Sequence, residues 1–180
     1  YIQFRTPDNK EQGLLFGDDA DNDVGNIIYS HTNNALTFAT NGDGEKFRIA
    51  SNGNVSIGNN ATPDTLLHLQ GDKPKLRIES TNTLEASAGT EEIGRIEFEA
   101  TKGSNRNVAA SMRIRQDGTW STVDDWFSPT AIEFYTQDQS GTEITTPRVT
   151  IKSNGNVGIG YTNPDVALKV NGAIQSSSEF

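Results

Sequence analysis

Short stretches along the chain alternate apolar and polar residues with a period of two: Phe47-Arg48-Ile49, Val55-Ser56-Ile57, Leu67-His68-Leu69, Leu76-Arg77-Ile78, Ile96-Glu97-Phe98, Met112-Arg113-Ile114 and Ile132-Glu133-Phe134. Successive side chains of a strand point to opposite faces, so each stretch predicts a strand buried on one face only. Between them stand Asn41-Gly42-Asp43-Gly44, Asn52-Gly53, Asp117-Gly118, Asn154-Gly155 and Asn171-Gly172. Asn, Asp and Gly tolerate positive φ, which predicts tight hairpins at these points. Helical periodicity is absent. Thr83–Glu92 has helix-friendly composition but is interrupted by Gly89, so the predicted class is all-β, built of tandem repeats of short antiparallel strands and hairpins.

The two halves repeat one another. FRIASNGNVSIG, Phe47 to Gly58, returns as VTIKSNGNVGIG, Val149 to Gly160, with seven of the eight residues Ser51–Gly58 and Ser153–Gly160 identical at a spacing of 102. One residue fewer follows in the second copy. Pro63-Asp64 then matches Pro164-Asp165, Leu67-x-Leu69 matches Leu168-x-Val170, and Gly71 matches Gly172. Upstream, Ala35–Phe38 matches Ala131–Phe134 and Gly13–Phe16 resembles Arg95–Phe98. The expected organisation is a first β repeat over 1–71, a second over 72–172 with an inserted stretch at about 102–130, and the start of another segment at 173–180.

Composition adds the energetic side. Counting glycine and leaving out tyrosine, apolar content is roughly 40 %, below the about 45–50 % of ordinary globular chains. A core this thin, spread over many short strands, does not offset chain entropy unless the apolar face is also buried against another chain. Oligomerisation is expected. A monomeric β-sandwich would show the same alternation, but the thin core and near-identical repeat favour an extended array.

The net charge is −9 and the sequence pI is near 4.6. Phosphate recognition needs clustered Lys and Arg; none cluster here, which argues against a nucleic-acid partner. No run of about 18 apolar residues suggests membrane insertion, and Tyr1-Ile2-Gln3-Phe4-Arg5 does not read as a signal peptide. Starting without Met, the chain is expected to be cut from a longer protein and to begin within a strand. There is no cysteine and there are two histidines, so neither disulfides nor thiolate chemistry is available and little remains for a zinc site.

The motif SNGNVSIG…Pro63-Asp64…Leu67-x-Leu69-x-Gly71, repeated as SNGNVGIG…Pro164-Asp165…Leu168-x-Val170-x-Gly172, resembles a recurrent element of bacteriophage tail fibre and tailspike shafts. The resemblance implies three chains wound about one axis in an interlocked homotrimeric fibre of β-prism or β-helix type. Its partners would be further copies of itself, adjoining tail or fibre proteins, and a polysaccharide or protein of the host surface. Its location would be extracellular, in the virion tail fibre, and it would need no cofactor. Asn171–Phe180 resembles the stretch ahead of a self-cleaving intramolecular chaperone domain, whose catalytic Ser and Lys would lie outside this chain. A depolymerising or carbohydrate-binding tailspike domain, and a bacterial or capsid surface adhesin, remain alternatives.

Candidate chemistry is sparse. Asp19, Asp21 and Asp23 alternate in an acidic run that suits a hard cation, but Val24 and Ser30 stand where an EF-hand needs Gly and a carboxylate, so a solvated acidic turn is the simpler expectation. His31 and His68 are expected to be surface or packing residues. No G-x-S-x-G and no phosphate loop occurs. Glu97, Glu99 and Glu133 lie on predicted strands, yet a glycosidase needs two carboxylates at a defined separation on one face; no catalytic residue is expected. The insertion carries Trp120, Trp126 and Phe127, aromatic faces beside carboxylates that would stack on host glycans or seal an interface between chains.

Overall fold

A computed structural model describes residues 2–42, 44–59, 61–81, 91–103, 105–119, 128–137 and 145–174. The chain divides into two units, Tyr1–Leu76 and Arg77–Phe180. No helix occurs among the described residues.

Unit 1 is one six-stranded sheet in chain order: β1 (Glu11–Phe16), β2 (Gly25–Ser30), β3 (Ala35–Thr40), β4 (Glu45–Ile49), β5 (Val55–Ile57) and β6 (Leu67–Leu69). Unit 2 is a second sheet with the same order: β7 (Glu92–Lys102), β8 (Asn105–Gln116), β9 (Thr130–Thr136), β10 (Val149–Ile151), β11 (Val157–Ile159) and β12 (Leu168–Val170). Neighbouring strands are antiparallel except at one edge of each sheet, where β6 runs parallel to β5 and β12 to β11.

Register follows the alternation. Residues paired across strands share a face, so Leu14, Ile27, Phe38, Phe47, Ile57 and Leu69 form one row across sheet 1. Ile96, Met112, Phe134, Val149, Ile159 and Val170 form the matching row in sheet 2. A second row on the same face runs Tyr29, Leu36, Ile49, Val55, Leu67 in sheet 1 and Ile114, Ile132, Ile151, Val157, Leu168 in sheet 2.

The repeated SNGN hairpins are three-residue connections. Ala50 N–H donates to Asn54 O and Gly53 N–H to Ala50 O; Lys152, Asn156 and Gly155 repeat the pattern. Gly53 and Gly155 both have φ +84°, the left-handed residue that this turn requires.

Several expectations are corrected. The edge pairs β5–β6 and β11–β12 are parallel rather than antiparallel, because the segments carrying Pro63 and Pro164 return the chain across the sheet. Strands β7 and β8, with 11 and 12 residues, are long rather than short. Some of the extra residues of unit 2 lengthen this hairpin and most lie between β8 and β9, so Asp117-Gly118 opens a long connection instead of a tight turn. Leu76-Arg77-Ile78 forms no strand. Pro74 just before it lacks an N–H for a ladder, and Ile78 instead lies over the apolar face, its Cγ2 3.1 Å from where a Gly94 Cβ would stand. Ile2–Thr6 are likewise not in a strand; the first strand begins at Glu11. Asp43 and most of Thr83–Glu92 lie outside the described residues, and Glu92 itself begins β7.

Burial is inverted relative to an ordinary one-faced sheet. No Leu, Ile, Val, Phe or Met among the described residues is buried. The side chains buried within the chain are small or polar: Ala35, Ala39, Thr37, Arg48 and Ser56 in unit 1, and Ala131, Glu133, Tyr135 and Thr150 in unit 2.

Candidate functional site

The apolar face of each sheet is left open. Ile57 is 49 % exposed and Leu67 56 %; at the same places in sheet 2, Ile159 is 44 % and Leu168 53 % exposed. Phe134, Ile49, Leu14 and Phe16 are also exposed. On sheet 1 this face includes a groove lined by Phe16, Gly25, Ile27, Phe38 and Thr40, where Gly25 places no side chain between its neighbours. Large contiguous apolar surfaces are the kind that mark interaction sites.

The opposite face of sheet 2 holds a charge cluster. Arg113 Nη2 and Nε donate to Glu133 Oε2 at 2.6 and 3.0 Å, Arg115 Nε donates to Oε1 at 2.6 Å, and the Tyr135 hydroxyl donates to Oε2 at 2.6 Å. The Arg113 guanidinium also lies 4.8 Å from the Tyr135 ring centroid. Burial pushes the Glu133 carboxyl up, but the hydrogen bonds from Tyr135, Arg115 and Arg113 outweigh it and hold the group below its ordinary range. Tyr135 is raised by burial and by its bond to Glu133. A carboxylate held in its ionised form by these donors is a poor general acid. Glu97 and Glu99 are engaged at 2.8 Å by Arg95 and Arg106. The cluster is therefore a structural clamp.

A residue that the alternation does not reveal is Asp117. It is nearly buried, pairs with Lys152 Nζ, and accepts from Ser153 N–H at 2.9 Å. Burial alone would raise it, yet Lys152 and Ser153 hold it below its ordinary range. It ties the end of β8 to the second SNGN hairpin. Sequence had offered only its Asp-Gly turn signal.

In the acidic run, Asp18 Oδ1 accepts from Ala20 and Asp21 N–H at 2.8 and 2.9 Å, and Asp21 Oδ1 from Asp23 N–H at 3.2 Å. These are turn-forming bonds. Among the described residues no group of three or more His, Asp or Glu side chains is gathered so as to hold a metal ion; Asp19, Asp21 and Asp23 are not brought together as ligands. His68 Nδ1 lies 2.9 Å from Asp64 Oδ1, and His31 packs edge-on against Tyr29. Trp120, Trp126 and Phe127 lie outside the described residues.

No family model and no curated protein matches the chain. Among solved structures, the carboxy-terminal domain of the bacteriophage T5 L-shaped tail fibre with its intra-molecular chaperone domain matches over 94 % of this chain, at 12 % identity and a TM-score of 0.34. This chain spans 61 % of that one. A second structure of the carboxy-terminal domain of the same fibre matches over 94 % of this chain and 85 % of its own, at 10 % identity and a TM-score of 0.35. Overlap this shallow transfers no function.

Proposed function

We propose that the chain is a non-enzymatic structural segment of a homotrimeric phage tail fibre, which extends and stiffens the fibre and presents a host-recognition surface. One observation carries this reading: both sheets leave a largely apolar face uncovered, while the side chains buried within the chain are small or polar. Rows that include Ile57, Leu67, Ile159 and Leu168 stand about half exposed on a single chain, and the cover they lack is what further copies of the chain would supply. The motif resemblance makes three the number. Host contact is assigned to the stretch at about 102–130, where Trp120, Trp126 and Phe127 suit stacking on a sugar ring. Attachment to adjoining tail proteins and an extracellular place in the virion follow from the same reading.

Light scattering on the 19.5 kDa chain tests it. A mass near three chains is expected; a mass near one chain overturns the fibre reading. For host contact, Trp120→Ala or Trp126→Ala is expected to abolish cell-surface binding and leave the trimer intact. Loss of the trimer would assign these residues to the interface between chains.

A further inference from the structure

The two sheets match on their apolar faces but differ at their edges. At edge β1 the apolar-face residue Leu14 is followed by Leu15, which points to the other face and is 62 % exposed. At edge β6 the apolar-face residue Leu67 is preceded by Leu66, 79 % exposed, whose carbonyl accepts from Val55 N–H and so continues the ladder. Sheet 1 therefore carries an exposed Leu beyond its apolar rows at both of its edges. Sheet 2 has no large apolar side chain at either of the matching positions. The register places Glu97 where sheet 1 has Leu15, and Ala167 where it has Leu66; Val157 N–H bonds Ala167 O as Val55 bonds Leu66. Edge β7 is further guarded by the pairs Arg95 with Glu92 and Glu97, and Arg106 with Glu99.

Edge strands facing water are normally blunted by charge, as β7 is, because an apolar edge invites association. A cyclic assembly needs two different, mutually complementary patches on each chain. The two edges of sheet 1 supply such a pair, and each is continuous with the apolar face already assigned to self-association. We infer that in unit 1 the β1 edge of one chain seats against the β6 edge of the next copy, with Leu15 and Leu66 buried in the contact. Unit 2 joins its copies through its apolar face alone. This rests on the trimer reading, and the occupant is a second copy of the chain.

The test uses Leu15→Glu, which transplants the unit 2 residue, Leu66→Lys, and the two together. Dilution is followed by light scattering, with circular dichroism to check the fold. Both side chains are exposed within the chain, so neither change burdens the isolated unit. Each single variant is expected to raise the dissociation midpoint about tenfold or more, since it places a charge in an apolar contact. The double variant, with opposite charges brought together, is expected to recover a large part of that loss. A wild-type trimer whose midpoint neither single variant moves overturns the edge contact and leaves the fibre reading standing, as does a double variant no better than the sum of the singles. A wild-type mass near one chain overturns both.

Discussion

Position for position, the third strand of sheet 1 offers Ala35, Thr37 and Ala39 to the face opposite its apolar rows, and the third strand of sheet 2 offers Ala131, Glu133 and Tyr135. Beside them sheet 1 has Ile28 and Ser30, where sheet 2 has Arg113 and Arg115. The same topology is thus closed in two ways, by small side chains beside a buried Arg48 paired with Glu45 in one unit and by a carboxylate clamped between two guanidiniums and a phenol in the other. Meanwhile the apolar rows stay alike. Under the proposed self-association, a face covered by identical copies would keep its pattern in every repeat, whereas most of the other face would answer to its own unit and be free to differ.

The largest expected effect comes from breaking the clamp. Glu133→Ala leaves two guanidiniums facing each other without their carboxylate, and removing one partner of a buried ion pair costs about 3–5 kcal/mol. Hydrogen exchange should show the loss in unit 2, with unit 1 protected as before. Thr37→Ala, the matching change in unit 1, should cost less than about 1 kcal/mol. Grafting the sheet 1 residues together, Arg113→Ile, Arg115→Ser and Glu133→Thr, should recover most of the loss, because no unpaired charge remains. Acid should act in the same direction. Glu133 and Asp117 have lowered values in the folded state, so their contribution is present above the ordinary carboxylate range, about 4, and is lost as pH falls through the folded-state values. Tyr135, raised on folding, contributes below its ordinary value near 10 and loses that contribution as pH rises through its folded-state value. Denaturation followed from acid to alkali should therefore show unit 2 failing first at both ends.

How far this was legible in the sequence differs between the two faces. The period-two alternation and the repeat located the apolar rows, since both report which residues share a face. They could not say that Arg113, Arg115 and Glu133 meet, because that depends on register across strands separated by a long connection. Leu76-Arg77-Ile78 shows the same limit from the other side: its alternation reports one-sided packing of Ile78 on Gly94, but alternation carries no information on whether a ladder partner exists. Asp117 was hidden because its partners, Lys152 and Ser153, are far along the chain.

A middle-sized effect lies in the one mismatch of the repeated octet, Ser56 against Gly158. The segment between β11 and β12 is one residue shorter than that between β5 and β6, and it passes closer to the sheet. A Cβ on Gly158 would overlap the Tyr161 carbonyl, with Pro164 Cδ 3.3 Å away, while Ser56 fits fully buried beneath the longer loop. Gly158→Ser, which makes the copies identical, should therefore destabilise unit 2 by about 1–3 kcal/mol. Inserting one residue after Gly160 in the same chain should relieve it. Thermal melting of the pair would decide whether the mismatch and the deletion are one adaptation.

The smallest effect concerns what the copies still share. Asn54 Nδ2 donates to Pro63 O at 2.9 Å and Asn156 Nδ2 to Pro164 O at 3.2 Å, each pinning its hairpin to the returning segment. Removing such a bond costs about 0.5–1.5 kcal/mol. Asn54→Ala and Asn156→Ala should both fall in this range, with the longer bond of unit 2 giving the smaller loss. If Asn156→Ala instead proved much the costlier, the shorter loop of unit 2 would be held by this anchor more than by its fit over Gly158, and the difference between the loops would lie in their hydrogen bonding and not in their packing.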